Sequence, residues 1–181
     1  MAERVHAAPV LETARAILRP HRLEDFDAYA AMWTEPAVFR FVGGKARSRE
    51  ESWQRLLRHF GLWSMLGFGF WAIQDRESGR FIGEAGFHEL KREIVPSIEG
   101  TPEAGWSLVP EFQGHGLGTE VVSRLLAWGD ATFEGARTVC LIDPDNAGSL
   151  AVARKVGYRE IVRTEYGGSP ILMLERHAVS A

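Results

Sequence analysis

A chain of 181 residues, 45% hydrophobic and 25% charged, is long enough to bury one sizeable core and too short for two ordinary domains. Its formal net charge of −3 provides no basic field to draw it to a phosphate backbone, and Cys140, the single cysteine, excludes an internal disulfide and the repeated spacing of a structural zinc site. Met1 to Val10 contain no run like a signal-peptide core, and no later stretch is apolar enough to span a bilayer. The expectation is a cytoplasmic protein with neither a membrane nor a nucleic-acid partner.

The organisation expected is one domain over residues 1–181, its core running from about Ala14 to Arg176 between short mobile ends. Ala14 to Pro20 alternates loosely and stops at proline, which predicts an edge strand. From Leu23 to Trp33 the bulky residues recur at helical spacing, with Glu24, Asp25 and Asp27 where the helix dipole favours negative charge. Ser48 and Glu51 have capping-box spacing ahead of the apolar stripe Trp53, Leu56, Leu57 and Phe60, which predicts a second helix. Phe68 to Gln74 and Phe81 to His88 read as a hairpin turned at Gly79, and Glu103 to Val109 as a strand stopped by Pro110. The loop between them, Lys91 to Pro102, is long enough to suggest a border of a substrate site. A helix is predicted from about Thr119, with Val121, Val122, Leu125, Leu126, Gly129 and Phe133 on one face. The short apolar run Val139 to Ile142 then reads as a strand covered on both sides. A helix from Ala147 to Val156, ended by Gly157, and a closing hairpin of Tyr158 to Tyr166 and Ile171 to Arg176 complete the chain.

Most of the chemistry is concentrated between Trp106 and Thr119: a strand, a short connection, the glycines Gly114, Gly116 and Gly118, and a helix start. Glycines turn the backbone tightly and bare its N–H groups, and the first helical turn adds free donors and partial positive charge, so the segment suits a diphosphate. The dinucleotide fingerprint does not fit, because the third glycine comes one residue early and most of the chain precedes it. A nucleotide P-loop fails as well, since Glu120 follows Gly118-Thr119 where a lysine and a hydroxyl residue belong.

Gln113, Gly116 and Gly118 after a strand resemble the Gln/Arg-x-x-Gly-x-Gly/Ala pyrophosphate loop of the GNAT superfamily of N-acetyltransferases. Asn146, Ser149 and Lys155-Val156-Gly157-Tyr158 resemble its second block. Leu18-Arg19-Pro20, Gly105-Trp106-Ser107-Leu108 and the serine three residues after Asn146 look like its RimJ/RimL-like branch. The resemblance implies an α/β (α+β) fold with a mixed, mostly antiparallel sheet of about six to seven strands, about four flanking helices, and a splay after the fourth strand. It implies acetyl-CoA as co-substrate and a primary amine as acceptor, attacked directly on the thioester with no metal. The acceptor could be a protein N-terminus or a small molecule; polyamines, amino acids and antibiotics stay open. A module that binds acetyl-CoA without turnover is the alternative.

By the same resemblance, the main chain of Leu108 and Val109 would pair with the pantetheine arm. The backbone from Gln113 through Gly114, His115, Gly116, Leu117 and Gly118 to Thr119 would hold the pyrophosphate, and Asn146 would contact cofactor or substrate. A main-chain N–H near Val109 would meet the oxyanion. Ser149 would protonate the departing thiolate, since the tyrosine many members carry four residues later is Ala153 here. Neutralising a lysine-like amine at pH 7 costs about 4.6 kcal/mol, against about 1.4 for an α-amine. Glu103 is the first candidate for the base, Glu84 the second, and His88 titrates in range. Cys140 reads as core. Trp53, Phe60, Trp63, Phe68 and Phe70 could line the acceptor side, with core packing or a homodimer contact as their alternatives.

Overall fold

Ser48 opens the longest helix as its sequence implies: its hydroxyl accepts the Glu51 N–H while the Glu51 carboxylate accepts the Ser48 N–H, and Gly67 closes the helix in a left-handed conformation. In this computed structural model, which describes residues 8–178, that helix is α3 (Arg49–Leu66). It follows α1 (Phe26–Met32) and the single turn α2 (Pro36–Phe39), and precedes α4 (Leu117–Thr132) and α5 (Ala147–Lys155). The strands are β1 (Leu11–Glu12), β2 (Ala16–Arg19), β3 (Phe70–Asp75), β4 (Phe81–His88), β5 (Glu103–Leu108), β6 (Thr138–Ile142), β7 (Arg159–Tyr166) and β8 (Ser169–Arg176). Of the short ends expected to be mobile, on either side of a core from about Ala14 to Arg176, residues 1–7 and 179–181 lie outside the described residues.

One sheet holds all eight strands in the order β1-β2-β3-β4-β5-β6-β8-β7. Every neighbouring pair is antiparallel except β5 and β6, which meet in parallel at a single register position, Glu103 opposite Val139. The expected architecture is present, with one strand and one helix more than expected. Both extras are too short to leave a periodic signature: β1 has two residues and α2 has four.

Three boundaries moved for local reasons. Leu23 to Asp25 winds as a 3-10 turn before α1, because the Asp25 carboxylate turns back to the Arg22 N–H and to Arg19, whose guanidinium it binds at 2.7 and 2.8 Å. The fourth helix starts at Leu117, two residues early, since Gly116 at φ +79° is its N-cap. The closing turn narrows to Gly167 and Gly168, both at positive φ, so Ser169 and Pro170 join β8.

Side chains alternate across the sheet and place two different environments on its faces. Trp71, Ile73, Ala85, Phe87 and Ala104 pack with α4 and α5 in the main core. The register puts Ala72 opposite Glu84, Glu84 opposite Ser107, and His88 opposite Glu103, so these residues share the other face. There Ala72 packs with Tyr29, Met32, Trp33, Val38 and Leu56 of the α1–α3 layer. The loop after β4 lays Ile94 and Ile98 against Val139 and Met173.

Candidate active site

Two half-sheets create the site by parting. β5 is held along six register positions by β4, and β6 along five by β8, so after their one shared position they diverge. A cleft of about 790 Å³ occupies the divergence, a size typical of small-molecule sites. Its walls include Gly105, Trp106 and Ser107 of β5, Cys140 to Asp143 along and beyond β6, Asn146 and Ser149 at the head of α5, and Arg55 and Arg58 of α3.

On the α4 side, the Gln113 N–H donates to Pro110 O and the Glu120 N–H to Gly116 O. Among the described residues, no hydrogen bond is made by the six consecutive N–H groups between them, from Gly114 to Thr119. Gly114 and Gly116 both sit at φ +79°, and a Cβ at Gly118 would meet Val152 at 3.4 Å. Close packing thus holds bare amides at a helix N-terminus, an arrangement that fits a diphosphate. Arg15, unnoticed in the sequence, ties this loop to β2: its Nη1 donates to His115 O at 2.9 Å and its Nε to Glu120 at 2.7 Å. His115 itself is exposed and Leu117 is core.

Two expected donors are corrected. The Gln113 N–H is taken by Pro110 O, and its side chain holds Leu108 O at 2.7 Å, so Gln113 braces the strand end. The Val109 N–H donates to Ile82 O, which removes it as the oxyanion donor. Because main-chain groups alternate along a strand, the N–H groups of Leu108 and Trp106 face the gap instead.

Asn146 and Ser149 are brought together at the cleft: Asn146 Oδ1 caps α5 by accepting the Ser149 N–H at 3.0 Å. Glu103 also lines it, but Arg92 holds both carboxylate oxygens, at 2.6 and 2.9 Å. His88 Nε2 lies 3.0 Å from Glu103 Oε1, off the line of a hydrogen bond. Burial alone would raise the Glu103 carboxyl; His88 and Arg92 outweigh it and bring it down to about 2. A carboxylate so firmly bound has little basicity left, which corrects its assignment as general base. Burial pushes the Cys140 thiol well up, so it has no thiolate character. Of the five aromatics proposed for the acceptor side, only Phe70 lines the cleft; Trp63 is core, Phe68 packs on Phe133, and Trp53 and Phe60 are exposed.

Sequence reasoning missed most of the charged network on the α1–α3 face. Glu84, fully buried, is bound by Arg55 at 2.7 Å and by His59 Nε2 at 2.9 Å, and Tyr29 Oη is 3.1 Å from the same nitrogen. Burial keeps His59 neutral, so its proton sits on Nε2, toward Glu84. Burial also opposes ionisation of Glu84, yet the charge of Arg55 and the hydrogen bond from His59 hold it well below the carboxylate range. His21 stacks on His59, centroids 4.8 Å apart and planes 10° apart, and burial, with His59 beside it, lowers it to about 3. One ligand atom from each of His21, His59 and Glu84 lies within 4.8 Å of the others. Stacked rings point their in-plane lone pairs side by side, though, and Arg55 and His59 engage both Glu84 oxygens, so the Glu84 charge is offset by Arg55 and the trio does not converge on a cation. Spacing cannot reveal such a network, whose members come from α1, α3, β4 and the connection after β2.

Comparison with known proteins agrees with this geometry. Residues 15–159 match the family model for the acetyltransferase (GNAT) domain. The uncharacterized N-acetyltransferase YoaA of Bacillus subtilis is 27% identical over 153 residues, 84% of either chain. A Bordetella pertussis structure assigned to the GnaT acetyltransferase family is 33% identical with a TM-score of 0.82, covering 93% of this chain and 99% of that one. An acetyltransferase of Agrobacterium tumefaciens follows at 27% and 0.81, over 95% and 96%. The ribosomal L7/L12 α-N-protein acetyltransferase RimL, solved with coenzyme A, has the same fold at 17% identity and a TM-score of 0.76, over 93% and 98%. The chain belongs to the GNAT acetyltransferase family and is an acetyl-CoA-dependent N-acetyltransferase.

Proposed function

We propose that the chain belongs to the RimJ/RimL-like branch and acetylates a primary amine that enters the cleft from the α1–α3 face while acetyl-CoA occupies the α4 side. The carrying observation is the single gap in the sheet, with six bare amides beyond one end and a charged chamber at the other. In this reading the amides from Gly114 to Thr119 hold the pyrophosphate, the main chain of Leu108 and Trp106 pairs with the pantetheine arm, and Asn146 orients what lies at the head of α5. Bound there, acetyl-CoA supplies a thioester carbon open to attack.

Three of the four carboxylates along the cleft are paired with cations: Glu51 with Lys45, Glu84 with Arg55, and Glu103 with Arg92. Asp143, at the end of β6, accepts only the Asp145 N–H among the described residues. We assign it the proton of the attacking amine, taken through water, and Ser149 the protonation of the thiolate, with no metal in the reaction. One modest base favours an α-amine, which is about 1.4 kcal/mol from neutral at pH 7, over a lysine at about 4.6. The fold shared with RimL, whose acceptor is an N-terminal amine, points the same way. The lone reduced cysteine supports a cytoplasmic setting. Among the described residues no helix is long and apolar enough to cross a membrane. If the protein dimerises, the exposed stripe Trp53, Leu57 and Phe60 on α3 is the contact we favour.

Calorimetry with coenzyme A and thiol release across an amine panel test the reading together. Binding with turnover of at least one α-amine is expected. Heat without thiol release from any amine would leave a binding module, and neither would remove the assignment of both halves.

A further inference from the structure

The acceptor chamber carries more positive charge than its own carboxylates neutralise. Five guanidinium groups line it, from Arg40, Arg47, Arg55, Arg58 and Arg92. Arg55 and Arg92 are spent on Glu84 and Glu103. Among the described residues, Arg40, Arg47 and Arg58 have no carboxylate within 4.0 Å, and Glu51, the remaining acid on that side, serves Ser48 and Lys45.

Arg40 and Arg58 are exposed at the rim, but Arg47 and Arg55 are half-buried. Arg47 and Arg55 both stack on the ring of Trp33, their guanidinium carbons 4.8 and 4.4 Å from its centroid, which places the two charges no more than about 9 Å apart. Arg58 follows Arg55 by three residues on α3, so the two share one side of the helix. The Nε atoms of Arg47 and Arg55 are buried without an acceptor, although a guanidinium taken from water normally finds one. Burial first, and then the like charge of Arg55, depress ionisation of both Arg47 and Arg58. The phosphate-binding amides of the α4 side cannot explain the cluster. They lie toward the other face of the sheet, and none of the residues from Gln113 to Thr119 borders this cleft.

We propose that the acceptor carries an anionic group, a carboxylate or a phosphate, close to its reacting amine, and that Arg47 and Arg58 receive it. The inference rests on the acetyltransferase reading and narrows it. A planar guanidinium pair is suited to such a group, and its arrival would cancel the repulsion among these arginines. The anion can belong to a small amino acid or aminophosphonate, or to an acidic side chain just after a peptide's N-terminus.

The test uses the whole protein saturated with acetyl-CoA and matched amines: glutamate against glutamine, 2-aminoethylphosphonate against ethanolamine, and peptides with aspartate and glutamate at their second and third positions against the corresponding amides. The anionic member of the accepted pair should show at least tenfold higher kcat/KM. An Arg47→Gln, Arg58→Gln double variant should lose that preference through KM while keeping its affinity for coenzyme A. Which pair responds identifies the source of the anion. Preference for the neutral member, or a preference that survives in the variant, overturns the proposal. If no amine reacts, thermal melting of the coenzyme A complex decides: the anionic amines should raise Tm in the parent and not in the variant, and equal shifts in both, or none, refute the inference. Calorimetry with coenzyme A alone reports on the acetyltransferase reading separately.

Discussion

Replacing Arg92 by methionine separates a structural carboxylate from a catalytic one. Glu103 is 5% exposed, and its carboxyl sits at about 2 in place of the ordinary 4.5. A depressed carboxyl stabilises the fold above its unfolded value and loses that contribution as pH falls, here between about 4.5 and 2. At 1.36 kcal/mol per pH unit the contribution at pH 7 is about 3 kcal/mol, in line with the ~3–5 kcal/mol lost when one partner of a buried pair is removed. His88 shares in that depression, so Arg92→Met should lower unfolding free energy by up to about 3 kcal/mol at pH 7. The difference from the parent should shrink steadily as the pH is lowered toward 3, because a protonated Glu103 needs no cation. A residual part that does not vary with pH reflects lost stacking of Arg92 on Tyr166. Urea unfolding of the parent, Arg92→Met, Glu103→Gln and the double variant across that range measures both parts. Thiol release then reads the chemistry: Glu103→Gln should keep activity within about tenfold, whereas loss of a general base costs about 10²–10⁴. Equal urea midpoints for parent and Arg92→Met, or a folded, coenzyme-binding Glu103→Gln whose rate is down a hundredfold and recovers at alkaline pH, would show this reasoning to be wrong.

Three further outcomes are expected. Gly116→Ala forces a side chain into φ +79°, which costs about 1–2 kcal/mol, and calorimetry should show coenzyme A binding weakened about tenfold as the loop relaxes. Asp143→Asn should lower kcat/KM at pH 7 by about 10²-fold, with recovery once pH exceeds the pKa of the amine itself; a pH-rate profile identical to the parent's would acquit Asp143. Gly86→Ala places a Cβ 2.3 Å from the main chain of Gly69 and Phe70, so thermal melting should show a loss above about 3 kcal/mol or no folded protein.

What was legible in the sequence was local. The capping box at Ser48, the glycines before α4 and the asparagine heading α5 each act within a few residues, and each is where its chemistry implies. What was not legible depended on which strands neighbour which. Glu103 looked like an unengaged strand-end acid because Arg92, eleven positions earlier, arrives through an irregular loop. Val109 looked like a free donor because its partner, Ile82, is supplied by the register of β4 against β5. The buried network on the α1–α3 face assembles Tyr29, His59, Arg55 and Glu84 from positions up to 55 apart, and no periodicity encodes that.

The gap between β5 and β6 also bears on stability. Inside the sheet a strand's main-chain groups are satisfied by its neighbours, but at the gap Leu108 O turns to the Gln113 side chain, and beyond it the amides from Gly114 to Thr119 make no hydrogen bond among the described residues. Those groups are affordable only where water or a ligand reaches them, which confines the gap to a cleft and couples its occupancy to folding. A ligand that bonds them only in the native state adds RT ln(1 + [L]/Kd), about 2.7 kcal/mol at a hundredfold excess over Kd. On the reading proposed above, the unpaired backbone at the gap and in the glycine loop is where the energy of binding pantetheine and pyrophosphate is recovered. Parting the strands and gripping the co-substrate are one structural property.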